Sequence, residues 1–201
     1  MRMPTTELGQ QCALRGGADT AGTKSPSAPE AAGQALRERG TGVTWAEVCD
    51  DPRLQNLAYK VEINRHGQLI MSPTRYKHSF FQAEIARLLS KSLPHGRVAL
   101  ETAIDCAPEG TCVADVTWAS PDRFKVIIEE TSCSVAPEIC VEVWSPSNSA
   151  GELEMKRRLY FGRGALEVWY CDAAGHLTFF DPGGEITQSR LCPKFPGPVA
   201  I

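Results

Sequence analysis

From residue 44 onward the chain alternates between two hydrophobic periods, one of two residues and one near 3.6, separated by turn-forming clusters. Val61, Ile63, Leu69 and Met71 alternate on either side of Asn64-Arg65-His66-Gly67, which predicts a β-hairpin. Phe81, Ile85, Leu88 and Leu89 recur at helical spacing, so a long helix is predicted from Pro73 until Pro94 and Gly96 stop it. Three apolar runs follow at Arg97–Ile104, Val113–Trp118 and Pro137–Trp144, short and β-branched enough to be strands of a buried sheet. The connection between the last two, Ser120–Ala136, contains a β-like piece at Lys125–Ile128. Thr44 with Glu47, and Ser149 with Glu152, read as capping boxes that open helices, the second running to Phe161 before Gly162 and Gly164 end it. Leu166–Cys171, His176–Asp181 and Glu185–Leu191 are predicted strands joined by Ala173-Ala174-Gly175 and Pro182-Gly183-Gly184. The core order helix, strand, strand, strand, helix, strand follows from the pattern.

Residues 1–41 differ in kind. They are rich in Gly, Ala, Thr, Ser and Pro, carry no periodic pattern and lack the aliphatic bulk that would order them, so a disordered tail is expected before a single domain at 42–201. The tail's arginines come with Glu7, Asp19, Glu30 and Glu38, which argues against a transit peptide. At 201 residues, 42% hydrophobic and 22% charged, the chain is long enough for one ordinary core. No run approaches the roughly 18 apolar residues of a membrane span, so a soluble cytoplasmic protein without a membrane partner is expected. The net charge of -3 provides no global field for nucleic acid, so any such contact must come from a local basic patch.

Eight cysteines raise the question of a disulfide scaffold, but none forms a CxxC pair and Cys140 and Cys171 lie inside apolar runs. Most are therefore expected to be buried, reduced thiols. Cys106 and Cys112 flank a Pro/Gly loop and are the pair singled out for a bridge or a metal, although a thiol or zinc enzyme built on them lacks a histidine partner set.

The candidate chemistry lies in two of the predicted strands. Asp115 interrupts Val113-Ala114-Asp115-Val116, and Glu142 interrupts Ile139-Cys140-Val141-Glu142-Val143. Ionised carboxylates are costly to bury unless paired or metal-bound. Asp115 reads either as a ligand or as a strand-end carboxylate bonded to a neighbouring amide, whereas Glu142 between two valines favours function. Lys156 follows on the predicted helix, where on its own it reads as a surface partner of Glu152. Glu62 falls on the polar face of the hairpin, and His78 at the start of the long helix reads as a packing or capping residue. His66, His95 and His176 fall in turns.

The element order, with Asp115 on the second core strand and Glu142 on the third, resembles the PD-(D/E)XK nuclease superfamily. The local text resembles its Uma-type restriction endonuclease family. The matching phrases are Val61-Glu62-Ile63 with Gly67-Gln68-Leu69, Met71-Ser72-Pro73 with His78, Ala114-Asp115-Val116 and Pro137-Glu138-Ile139-Cys140-Val141-Glu142-Val143-Trp144-Ser145-Pro146-Ser147. Lys156, Tyr160, Gly164 and Glu167-Val168-Trp169 complete the match over residues 45–182.

The resemblance implies an α/β, restriction-endonuclease-like core: an α-β-β-β-α-β mixed sheet flanked by helices, with extra β-hairpins. It implies that Asp115 and Glu142 are ligands of Mg²⁺ or Mn²⁺, that Lys156 is the catalytic lysine displaced from the strand to the following helix, and that Glu62 points into the site. His78 matches the family's histidine, as a phosphate contact or proton carrier. Ala114 replaces the usual proline, Ala165 the usual valine and Glu152 the usual aspartate, and none of these removes a ligand.

The function expected is Mg²⁺-dependent hydrolysis of DNA phosphodiester bonds, and the resemblance leaves room for a homodimer. Arg87 and Lys91, with Lys156, Arg157 and Arg158, are the local candidates for phosphate contacts. The competing reading is an inactive nuclease-fold binding or assembly module, against which the intact Asp115, Glu142 and Lys156 count.

Overall fold

A computed structural model describes residues 42–55, 57–144 and 149–201. The expected tail and the Ser145-Pro146-Ser147 phrase lie outside the described residues. Thr44 caps α1 (Trp45–Asp50) through the full capping box, with Glu47 returning to the Thr44 N–H at 2.9 Å. The hairpin forms as the alternation requires: β1 (Tyr59–Asn64) and β2 (Leu69–Pro73) pair with Val61 opposite Met71 and Ile63 opposite Leu69. Pro73 closes β2 instead of opening a helix, and α2 spans Tyr76–Ser92.

The strands β3 (Arg97–Asp105), β4 (Gly110–Ala119) and β5 (Ile139–Val143) coincide with the three apolar runs. The β-like reading of Lys125–Ile128 is corrected: the segment belongs to α3 (Pro121–Ile127), in which the Ser120 hydroxyl accepts from Arg123 N and Pro121 occupies the first turn. A strong helix start outweighs three β-branched residues at its end. Ser149 caps α4 (Ala150–Gly162), followed by β6 (Glu167–Cys171), β7 (Leu177–Asp181) and β8 (Gly184–Ile186). The strand predicted over Glu185–Leu191 is therefore cut short at Ile186, because Ser189, Arg190 and Leu191 bond instead to the Glu167 carboxylate.

The eight strands form one mainly antiparallel sheet in the order β2-β1-β4-β5-β6-β7-β8, with β3 also paired to β4. The β5/β6 pair is parallel, joined across α4. Phe81, Ile85 and Leu89 of α2 pack with Val116, Ile139, Val141, Val143 and Trp169 in one core cluster. Tyr160 of α4 and Ile127 of α3 pack with Ile104, Ala114, Cys140 and Val168 in the other. Coverage on both faces explains why the central strands read as continuous apolar runs.

One edge of β4 is divided. β3 lies along one side, while the other is shared by β1, which pairs at Gly110 and Thr111, and β5, which pairs from Val116 to Trp118. Among the described residues the stretch between Thr111 and Val116 faces no paired strand on that edge. The side-chain alternation of β4 also slips there: Ala114 joins the α4 cluster and Val116 the α2 cluster. Opposite Asp115, Glu101 has φ +49, a left-handed conformation rare for a residue with a side chain. Asp115 thus sits where the sheet forks.

Glu167 organises the C-terminal segment. It is 2% exposed and accepts from Trp169 Nε1 at 2.8 Å, Ser189 Oγ at 2.6 Å and the backbone N–H groups of Arg190 and Leu191 at 2.7 and 2.8 Å. Removing it would leave several buried donors without an acceptor. Glu167→Ala is expected to cost at least about 3 kcal/mol of stability in urea unfolding, with Glu167→Gln costing less.

Candidate active site

Alternation along β5 places Glu142 on the α4 side of the sheet with Cys140, while Val141 and Val143 face α2. On α4, Leu153, Lys156 and Tyr160 recur at helical spacing and form its buried face. Lys156 therefore points inward. Its Nζ lies 3.2 Å from Glu142 Oε2 and 2.8 Å from Glu62 Oε1, and the Tyr160 hydroxyl donates to Glu142 Oε1 at 2.5 Å. Asp115, Glu142 and Lys156 are 1%, 2% and 3% exposed.

Across the fork, Asp115 Oδ1 lies 2.6 Å from Lys60 Nζ and 3.4 Å from His78 Nε2, and it accepts from Gln82 Nε2 at 3.3 Å. Lys60 also reaches Glu142 Oε2 at 3.6 Å, so one ammonium joins the two strand carboxylates. Gln82 donates in turn to Glu101 Oε1. The carboxylates serve the backbone as well. Asp115 Oδ2 accepts from Val143 N at 2.6 Å and Glu62 Oε1 from Val113 N at 2.7 Å, satisfying amides beside the divided edge.

Burial alone would raise the Asp115 carboxyl, but Lys60 and His78 outweigh it and hold the group well below the usual carboxylate range. Burial dominates at Glu142 and Glu101, and both are raised. Burial opposes the charge of Lys156, yet Glu142 and Glu62 hold it well above its ordinary value. Lys60 is likewise raised against burial by Glu142 and Asp115, and His78 by its bond to Asp115. Glu62, Glu101, Asp115 and Glu142 thus meet Lys60, Lys156 and His78 in one largely buried cluster of acidic and basic groups.

The structure brings all five sequence-predicted residues, Asp115, Glu142, Lys156, Glu62 and His78, to a cavity of about 90 Å³ that Lys60 and Arg75 also line. Lys156 is not a surface group, so it leaves the set of exposed phosphate contacts. Arg87 is paired with Glu84 at 2.5 Å, and Arg157 is held by Glu154 and stacked over Phe180.

Sequence reasoning missed Lys60, Gln82 and Glu101. Lys60 had a signal, since it lies two residues before Glu62 on the same strand. Gln82 is four residues after His78 on one helix face. Glu101 had none, because only the distorted pairing with β4 brings it near. Cys106 and Cys112 are buried free thiols.

Hard oxygen donors suit a Mg²⁺ or Mn²⁺ ion, and the carboxylates here are of that kind, with the His78 imidazole adding a nitrogen. Ligand atoms of His78, Glu101 and Asp115 lie within 4.8 Å of one another, while Glu142 is joined to Asp115 through Lys60. His78, Glu101 and Asp115 therefore offer donors that fit a divalent cation, and an ion shared with Glu142 would take the place of the Lys60 ammonium between the two carboxylates.

This architecture, a mixed sheet forked around two buried carboxylates and a helix-borne lysine, is that of a restriction-endonuclease-like protein. The sequence profile of the Uma2 family, described as "Putative restriction endonuclease", matches residues 46–193, and the chain belongs to that family. Among solved structures it is similar to one titled as a putative nuclease belonging to DUF820 from Anabaena variabilis ATCC 29413, with a TM-score of 0.55 and 19% identity over 70% of this chain and 80% of that one. No curated protein matches the chain. No described helix is long and apolar enough to cross a membrane.

Tyr160 offers a clean test of the network. Tyr160→Phe removes one charge-assisted hydrogen bond from a buried carboxylate at nearly constant volume. A loss of about 1.5–3 kcal/mol is expected in chemical denaturation, together with a further rise of the Glu142 pKa by carboxyl-resolved NMR titration.

Proposed function

We propose that residues 42–201 form a Mg²⁺- or Mn²⁺-dependent endonuclease domain that hydrolyses DNA phosphodiester bonds, with residues 1–41 a tail that takes no part in catalysis. The observation that carries this reading is the convergence of Asp115 and Glu142, from two strands of the forked sheet, on the same small cavity as Lys156. Asp115 and Glu142 would hold the ion, with Glu62 and His78 beside it. Such an ion supplies charge neutralisation at the phosphate and a bound water of lowered pKa. The reducing cytoplasm is the compartment in which the buried thiols stay reduced.

The protein's own groups have separable tasks. Glu62 and Glu142 fix the Lys156 ammonium from two sides, so it meets the attacking water and the developing oxyanion without reorganising. His78, held against Asp115 and lining the same cavity, would act as a phosphate contact or proton carrier. Arg75, on the rim of the same cavity, adds a second phosphate contact. Tyr160 and Val143 N hold Glu142 and Asp115 in place, leaving less to be ordered at the moment of reaction.

Glu142→Gln is expected to abolish metal-stimulated plasmid nicking while leaving the circular dichroism spectrum unchanged, because it removes one ligand charge at nearly constant volume. Retained nicking refutes the assignment. Lys156→Met should reduce turnover about a hundredfold or more, with Mn²⁺ affinity unchanged or tighter. Its stability cost should exceed the ~0.5 kcal/mol typical of a surface ion pair, because two carboxylates lose their buried partner.

A further inference from the structure

The site cavity, about 90 Å³, has room for an ion, a few waters and the oxygens of one phosphate. A nucleotide's base must therefore lie outside it. Directly alongside is a second, larger groove of about 600 Å³ between α1, β1 and the start of α2. Lys60, Gln82 and Glu101 form a wall common to this groove and the catalytic cluster.

The two cavities differ in chemistry. The groove is walled by Val48, Leu54, Leu57 and Val61, with the rings of Trp45 and Tyr59 among its lining. Tyr59 is 45% exposed, a large aromatic surface open to solvent at the start of β1. Lys60 and Glu101 are its charged lining groups among the described residues, and both already have partners in the catalytic cluster. A phosphate backbone would find no uncommitted cation there and would face a carboxylate. The groove fits a neutral, flat, aromatic group with polar edges, and Gln55, Thr74 and Ser79 supply groups able to hydrogen-bond such an edge.

We propose that this groove receives one unstacked nucleobase of the strand being cut, held against Trp45 and Tyr59 while its phosphate meets Asp115 and Lys156. The proposal rests on the nuclease reading and refines its substrate class. A base can enter only after leaving its stack, at an energetic cost smallest for unpaired or mismatched nucleotides. The preferred substrate is therefore DNA with at least one unpaired nucleotide at the cleavage position, and fully paired duplex is a poorer one.

The test measures binding by fluorescence anisotropy, in Ca²⁺ in place of Mg²⁺, for a labelled single strand, its paired duplex and an abasic strand of equal length and charge. The proposal expects the single strand to bind more tightly than either of the others. Trp45→Leu and Tyr59→Leu should each weaken single-strand binding about five- to a hundredfold, the range for loss of one base–aromatic stack, without changing abasic-strand binding. Tyr59 is surface-exposed, so its variant separates loss of stacking from loss of fold, and thermal unfolding checks both proteins.

Equal affinity for the single and abasic strands overturns the proposal, as does unchanged single-strand binding in folded Tyr59→Leu. If the wild type cleaves paired duplex in Mg²⁺ and neither variant alters binding, the groove assignment fails and the nuclease reading stands. If the wild type neither binds nor cleaves any of these substrates, both fail together.

Discussion

The structure turns on the carboxylates buried at the fork in the sheet. β1 and β5 leave part of one edge of β4 without a strand partner, and that interruption frees amide groups in the interior. Asp115 and Glu62 accept from Val143 N and Val113 N, so ionised side chains take over hydrogen bonds that a strand would have made. Those charges in turn require Lys60 and Lys156, because unpaired carboxylates at such depth are untenable. Backbone geometry and electrostatics are therefore mutually dependent at one place.

Such a network is a poor way to gain stability. The cost of stripping water from several charges is commonly as large as the attraction recovered, and an apolar core of the same volume is often more stable. Its presence amid an otherwise apolar interior, with Asp115 and Glu142 both almost fully buried and Glu101 in a left-handed conformation beside them, makes the fork the candidate site. The rest of the fold supplies the rigidity. Phe81, Ile85 and Leu89 anchor α2 while His78 and Gln82 reach Asp115 from its N-terminal half, and Leu153 seats α4 so that Lys156 and Tyr160 meet Glu142.

The similarity to a solved structure at 19% identity fits this division of labour. Core positions accept many apolar residues if volume and patterning are kept, so the sequence drifts while the sheet persists. At the fork, by contrast, the polar groups are tied to one another: Lys156 to Glu62 and Glu142, and Lys60 to Asp115.

Much of this was legible in the chain itself. Period-two and period-3.6 patterning, with the capping residues Thr44 and Ser149, determined most elements and their order. A lone carboxylate in each of two apolar runs singled out Asp115 and Glu142, since charge in a doubly buried strand requires a reason. Where local signals competed, the reading failed: three β-branched residues at the end of α3 suggested a strand although Ser120 and Pro121 start a helix, and the segment after Ile186 followed Glu167 instead of its own alternation. Only the tertiary structure decided that Lys156 is buried between Glu62 and Glu142, that Lys60 joins Asp115 to Glu142, and that Glu101 and Gln82 stand beside them. These contacts join residues far apart in the chain, Glu62 and Lys156 among them, and exist because the sheet divides at β4. A sequence carries periodicity and local chemistry, but the division of a strand's edge between two partners is a property of the assembled sheet.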